Sequence, residues 1–141
     1  MRTELKAEVE IQVPFHDVDA MHYVWHGHYY KYFEVVRTKL FQSIDYDVLQ
    51  MKASGYSWPI IETFCKYVQP MLYNQLIQVG AKIQEYENRL KIIYWISDAK
   101  TGEKLATGHT TQVAVDMKNN EMCFVSPKIF LEKVEECDLF L

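Results

Sequence analysis

The 141-residue chain lacks any long run of basic residues, and its net charge is −4. A nucleic-acid surface needs clustered lysines and arginines to meet phosphates, so no DNA or RNA partner is expected. No apolar stretch approaches the roughly 20 residues that cross a bilayer, so no membrane span is expected either. The opening residues, MRTELKAEVEIQV, alternate charged and apolar side chains and lack the apolar core of a secretion signal. Cys65, Cys123 and Cys137 are odd in number and far apart, with no CxxC pair. Such a set suits neither a disulfide frame nor a zinc knuckle and reads as reduced thiols, which makes the cytoplasm the expected compartment. Repeats, low-complexity segments and linkers are also missing, which leaves one domain over 1–141.

What is present is apolar and aromatic. Hydrophobic residues make up 49% and charged residues 24% of the chain, the profile of a globular protein long enough to bury a core. Ten tyrosines raise the aromatic share to 14%, so some aromatics are expected to line a pocket or an interface.

The apolar period changes along the chain. AEVEIQV, residues 7–13, alternates and predicts a strand. A loop follows from Pro14 to about His26, then a helical pattern from Gly27 to about Ser43. Tyr29, Phe33, Val36 and Leu40 share a face, and Tyr30, Tyr32, Val35 and Phe41 widen it, so the helix is expected to be buried on most sides. Beyond residue 58, four segments (58–70, 75–87, 89–98 and 104–117) read as long strands joined by hairpins, with turns at Glu87-Asn88, at 98–103 and at 118–121. Ser126 as cap and Pro127 at the first helical position predict a short terminal helix. The expected fold class is α+β, an antiparallel sheet with a single helix on one face. Such a sheet leaves an edge and a face uncovered, and a symmetric dimer is the natural way to cover them.

FHDVDAMHYVWHGHYYKYFE, residues 15–34, holds four of the five histidines and two aspartates. Asp19 lies just before the buried helix, whose first N–H groups have no intrahelical acceptor and sit at the positive end of its dipole. Such donors suit a carbonyl oxygen that becomes an oxyanion. A carboxylate beside them could attack that carbonyl or take a proton from an attacking water. The D-x6-H-G spacing of Asp19, His26 and Gly27 therefore supplies a base or nucleophile and an oxyanion hole in one segment, and Gly27 would let a substrate approach the backbone. The competing reading makes Asp17 and Asp19 ordinary loop and capping residues. A third reading is a metal-dependent hydrolase using His22, His26 and His28. Neither HExxH nor a cysteine supports it, so no metal is expected. His109, in the strand ATGHTTQV, reads as structural.

This segment resembles the active-site signature of the 4-hydroxybenzoyl-CoA thioesterase family of hotdog proteins, including the Tol-Pal-associated acyl-CoA thioesterases. The matching residues are Phe15, Asp17, Asp19, Val24, His26, Tyr29, Glu34 and Arg37, and TGEKLATGHTTQVAVD resembles the family's penultimate strands. The resemblance spans residues 6–135. It implies a hotdog fold, an antiparallel sheet wrapped around one long central helix. It also implies hydrolysis of an acyl-CoA or acyl-carrier-protein thioester to a free acid and a thiol, by a homodimer or homotetramer. Asp19 takes the catalytic carboxylate's place, and His26 the helix-start position whose backbone N–H polarises the thioester carbonyl. Tyr29 helps shape the site, Asp17 fixes the loop, and Glu34 with Arg37 is a structural pair.

The resemblance also suggests the substrate's contacts. His22, Trp25, Tyr29, Trp58 and Glu62, with Tyr56, would wall the acyl group, and Arg89 and Lys91, with Lys100 and Lys104, would meet coenzyme A phosphates. Coenzyme A is then part of the substrate, and no cofactor is needed. The family usually has glycine where this chain has His22, and often a small polar residue where it has His28. A hotdog protein can also be a non-catalytic acyl binder, which is the alternative function.

Overall fold

The computed structural model describes residues 5–140; residues 1–4 and 141, which belong to the opening stretch and to the expected 1–141 unit, lie outside the described residues. The alternating segment forms β1 (Lys6–Gln12), which turns Ala7, Val9 and Ile11 inward. The helical pattern forms α1 (His28–Ser43), whose buried residues are Tyr29, Tyr32, Phe33, Val36, Leu40 and Phe41. The expectation that α1 is covered on most sides is corrected: Val35 is 45% exposed, as an apolar residue can widen a helical stripe without facing a neighbour.

Two further helices join α1: one that the sequence reading did not place, which corrects the expectation of one helix before the strands, and the terminal helix predicted from Pro127. The first, α2 (Val48–Ala53), begins with a reciprocal cap between Asp47 and Gln50, a pattern legible in the sequence as Asp followed three residues later by Gln. The second, α3 (Lys128–Phe140), is 13 residues long. Ser126 does not cap it. Its hydroxyl donates to the Tyr86 carbonyl at 2.6 Å and its N–H to Glu87 at 2.8 Å, which ties the start of α3 to a sheet turn. Among the described residues no helix is long and apolar enough to cross a membrane.

The strands follow as β2 (Tyr56–Ser57), β3 (Ile60–Tyr67), β4 (Leu76–Glu85), β5 (Leu90–Asp98), β6 (Lys104–Gln112), β7 (Val115–Asp116) and β8 (Glu121–Met122). The main sheet is antiparallel in the order β1-β4-β5-β6-β3. A chain of hairpins would have put β3 beside β4, but β3 pairs with β6 at the opposite edge. Turn residues mark where a strand ends and do not say which strand it joins. The expected strand over 104–117 is likewise two: β6 stops at Gln112, and β7 joins β2 and β8 in a small second sheet.

Helix α1 packs on β1 and β4. Phe33 reaches across to stack on Tyr94 of β5, with ring centroids 4.5 Å apart. Gly108 of β6 makes room for this approach. A Cβ there would stand 2.6 Å from the Phe64 carbonyl oxygen and 2.7 Å from the Phe33 ring. The β1–α1 loop is then stitched to the β3–β4 connection: Val13 N–H donates to Gln75, Asn74 N–H to Val13 and Val24 N–H to Met71, each at 2.9 Å. Gly108→Ala should force α1 away from the sheet and lower stability by about 1–3 kcal/mol, read as a reduced midpoint in denaturant unfolding.

Candidate active site

The loop before α1 is a tight reversal. Asp19 N–H donates to the Tyr23 carbonyl at 2.8 Å, His22 N–H to the Asp19 carbonyl at 3.0 Å, and Val18 bridges Val24. The reversal needs a left-handed residue, and His22 supplies it at φ 70°. A β-carbon makes that conformation costly for most residues, which gives a physical reason for glycine at the matching position of the resembling family. The Asp19 carboxylate is exposed, and its Oδ1 accepts the Met21 N–H at 2.8 Å. That bond orients the group and leaves Oδ2 without a partner among the described residues.

Asp17 has the opposite surroundings. It is 2% exposed and accepts hydrogen bonds from the Lys31 ammonium and, at 2.7 Å, from the Tyr32 hydroxyl. Its backbone carbonyl accepts the Trp25 N–H at 3.0 Å. Burial alone would raise the carboxyl pKa, but the bonds from Lys31 and Tyr32 and the charges of Lys31 and His28 outweigh it and hold the group below its usual range. Burial, reinforced by Asp17, pushes the Tyr32 phenol up.

At the start of α1, His28 N–H donates to Trp25 and Tyr29 N–H to His26. The N–H groups of His26 and Gly27 donate to no protein acceptor among the described residues. His26, Asp19 and Tyr29 line one pocket of about 420 Å³ with Met21, Tyr23, Val24 and the chain end of β3 from Tyr67 to Pro70. Gly27 has a different use from the one its spacing suggested. A Cβ on it would lie 2.2–2.7 Å from the Trp25 ring, so the residue that approaches the backbone closely is Trp25 itself. Trp25 also packs against the His26 and His28 rings, at 5.1 and 5.3 Å.

The other residues singled out do not gather at this pocket within the described chain. His22 is exposed at the turn. Trp58 is buried, donates to the Tyr46 hydroxyl at 3.2 Å, and lines a second pocket of about 480 Å³ with Tyr56, Arg37 and Glu34. Glu62 stands 3.8 Å from His109 Nδ1. Arg89 pairs with Glu85 at 3.1 Å, and Lys91 lies opposite Glu85 in β5. The Arg37–Glu34 pair is present at 3.2 Å. Among the described residues no group of three or more His, Cys, Asp or Glu side chains could hold a metal ion. His16 and His28 instead flank Asp17, at 3.8 and 3.9 Å. Sequence reasoning missed Lys31, Tyr32 and Tyr67. The first two recur beside Asp17 because the helix start folds back on the loop; Tyr67 is 41 residues from His26 and carries no local signal.

A model of the thioesterase-like superfamily matches residues 13–134. The chain belongs to that superfamily. This thioesterase-like chain is 23% identical over 125 residues to an Aquifex aeolicus protein that bears the provisional name esterase, covering 89% of this chain and 94% of that one. The DHNA-CoA thioesterase from Staphylococcus aureus superposes with a TM-score of 0.81 at 21% identity, over 94% of this chain and 87% of the other. A 1,4-dihydroxy-2-naphthoyl-CoA thioesterase from Synechocystis does so with 0.82 at 17%, over 96% and 98%. These likenesses assign the hotdog fold.

Because Asp17 has a lowered pKa in the folded state, its contribution to stability is present above the unfolded value of 3.8 and is lost as pH falls through the folded value. Asp17→Asn should cost about 1–3 kcal/mol at neutral pH, with the difference from wild type shrinking in acid, as read by thermal unfolding at several pH values.

Proposed function

We propose that this chain is a thioesterase that hydrolyses an acyl-CoA thioester to a free acid and coenzyme A. The observation that carries the reading is one pocket lined by an oriented, exposed carboxylate, Asp19, and by His26, whose N–H, like that of Gly27 next to it, has no acceptor among the described residues. Asp19 acts either as general base, taking a proton from water as it adds to the carbonyl carbon, or as nucleophile, forming an anhydride that water then opens. In both routes the N–H groups of His26 and Gly27 receive the oxyanion, the C–S bond breaks, and the thiolate leaves and takes up a proton. No metal or redox cofactor takes part.

Coenzyme A as the thiol agrees with the names of the superposable proteins from S. aureus and Synechocystis. An acyl carrier protein would be the alternative donor. Within the superfamily, the matches from Phe15 to Arg37 support a place beside the 4-hydroxybenzoyl-CoA and Tol-Pal-associated types. Contacts from His22, Trp25, Tyr29, Trp58 and Glu62 to the acyl group, and from Arg89 and Lys91 to the nucleotide, belong to the same proposal, as does a cytoplasmic location.

We further infer a homodimer, or a homotetramer built from it, that shares the edge strand β3. Both faces of that strand are open in the single chain, with Ile61 57% and Phe64 51% exposed. An uncovered apolar edge is a template for pairing with a second copy, and its pairing would bring another chain to the mouth of the Asp19 pocket.

Across short, long and aromatic acyl-CoA esters, wild type should release free thiol from at least one, and Asp19→Asn should lower kcat by about 10²–10⁴-fold with the fold intact. Turnover that survives Asp19→Asn would remove the carboxylate from the mechanism. Ile61→Lys should shift the protein toward monomer in sedimentation and reduce activity with it.

A further inference from the structure

The pocket beside Asp19 takes one wall from the far end of the edge strand. Tyr67, the last residue of β3, donates its hydroxyl proton to the His26 carbonyl at 2.9 Å, across 41 residues of chain. Its ring meets Tyr29 edge-on at 4.6 Å and His26 at 6.2 Å. The peptide that accepts this bond is the one whose N–H belongs to Gly27. That N–H has no acceptor among the described residues. A peptide is one conjugated unit, so a donor on its oxygen draws density from its nitrogen and makes its N–H a stronger donor. Hydrogen bonds in series reinforce each other in this way.

We propose that Tyr67 is a positioning residue for thioester hydrolysis: it orients and polarises the His26–Gly27 peptide, so that the Gly27 N–H receives the carbonyl oxygen as it becomes an oxyanion. The inference rests on the hydrolytic reading above. The place of Tyr67 is itself secured. It pairs with Ala106 of β6, and the next two N–H groups, of Val68 and Gln69, both donate to the Leu105 carbonyl, at 3.0 and 3.1 Å. Burial, followed by the neighbouring Cys65, pushes the phenol up to about 12, so it keeps its proton and remains a donor across the neutral range. Tyr67 and the exposed apolar residues Ile61 and Phe64 lie on one strand. Covering that edge and setting the oxyanion donor are therefore mechanically linked through β3.

Tyr67→Phe keeps the ring and removes only the hydroxyl. On the acyl-CoA that wild type hydrolyses fastest, kcat should fall about 10-fold, less than the 10²–10³-fold that losing an oxyanion donor outright costs. KM should stay within about twofold, since the interaction strengthens only in the transition state. A thioether analogue of the same ester, which has no carbonyl oxygen, should bind variant and wild type alike. A merely structural hydroxyl would instead move KM and thioether affinity together with kcat, and an unchanged kcat would also overturn the assignment. The peptide's polarisation has its own readout that needs no substrate: in the 15N-labelled protein, the Gly27 amide proton should move upfield in Tyr67→Phe. An unmoved resonance overturns the polarisation whatever the activity. Wild type that hydrolyses nothing, with a Gly27 resonance that does move, would sink the hydrolytic reading and the catalytic role with it while leaving the polarised peptide standing.

Discussion

The arrangement around the pocket depends on one buried carboxylate. Asp17 is enclosed where the β1–α1 loop meets the first turn of α1, and a charge taken out of water must be matched there. Lys31 and Tyr32 match it, with His28 close by. The Asp17 backbone also holds Trp25 in place, and Trp25 in turn covers Gly27. Side chain and main chain of a single residue thus fix the loop on both sides of the reversal that carries Asp19. The two aspartates divide the work by environment. Asp17 is locked in an ion pair, whereas Asp19 keeps an oxygen available at the pocket.

The second constraint is the crossing of β3 to the far edge of the sheet. By pairing with β6, β3 delivers its last residues to the mouth of the loop, and the connection to β4 then zips against the loop from Met71 to Gln75. The same edge carries exposed apolar side chains, whereas β4 and β5 in the middle of the sheet are well buried. In the dimer proposed above, covering that edge and completing the pocket become one event.

A good part of this architecture was legible in the residues. The alternation of β1 and the stripe Tyr29, Phe33, Val36 and Leu40 of α1 are where the period puts them, because burial on one face leaves a direct trace in the pattern. Gly102 takes the positive φ that its turn requires. The α2 helix was not read from the sequence, although Asp47 followed three residues later by Gln50 carries its local signal. Asp19, His26 and Tyr29 do line one pocket, since a loop and the helix start that follows it are neighbours by covalent geometry.

The sequence by itself determined the places of β1 and α1 and the short-range grouping of Asp19 with the helix start, because each is set by residues within a few turns of one another. Only the tertiary structure decided that β3 lies at the opposite edge, that Trp25 fills the space over Gly27, and that Tyr67 reaches the His26 carbonyl. Those outcomes depend on which strand pairs with which and on how side chains share volume. Neither leaves a periodic trace along the chain, since the energy of a long-range pair is the same whichever local pattern delivers its two halves.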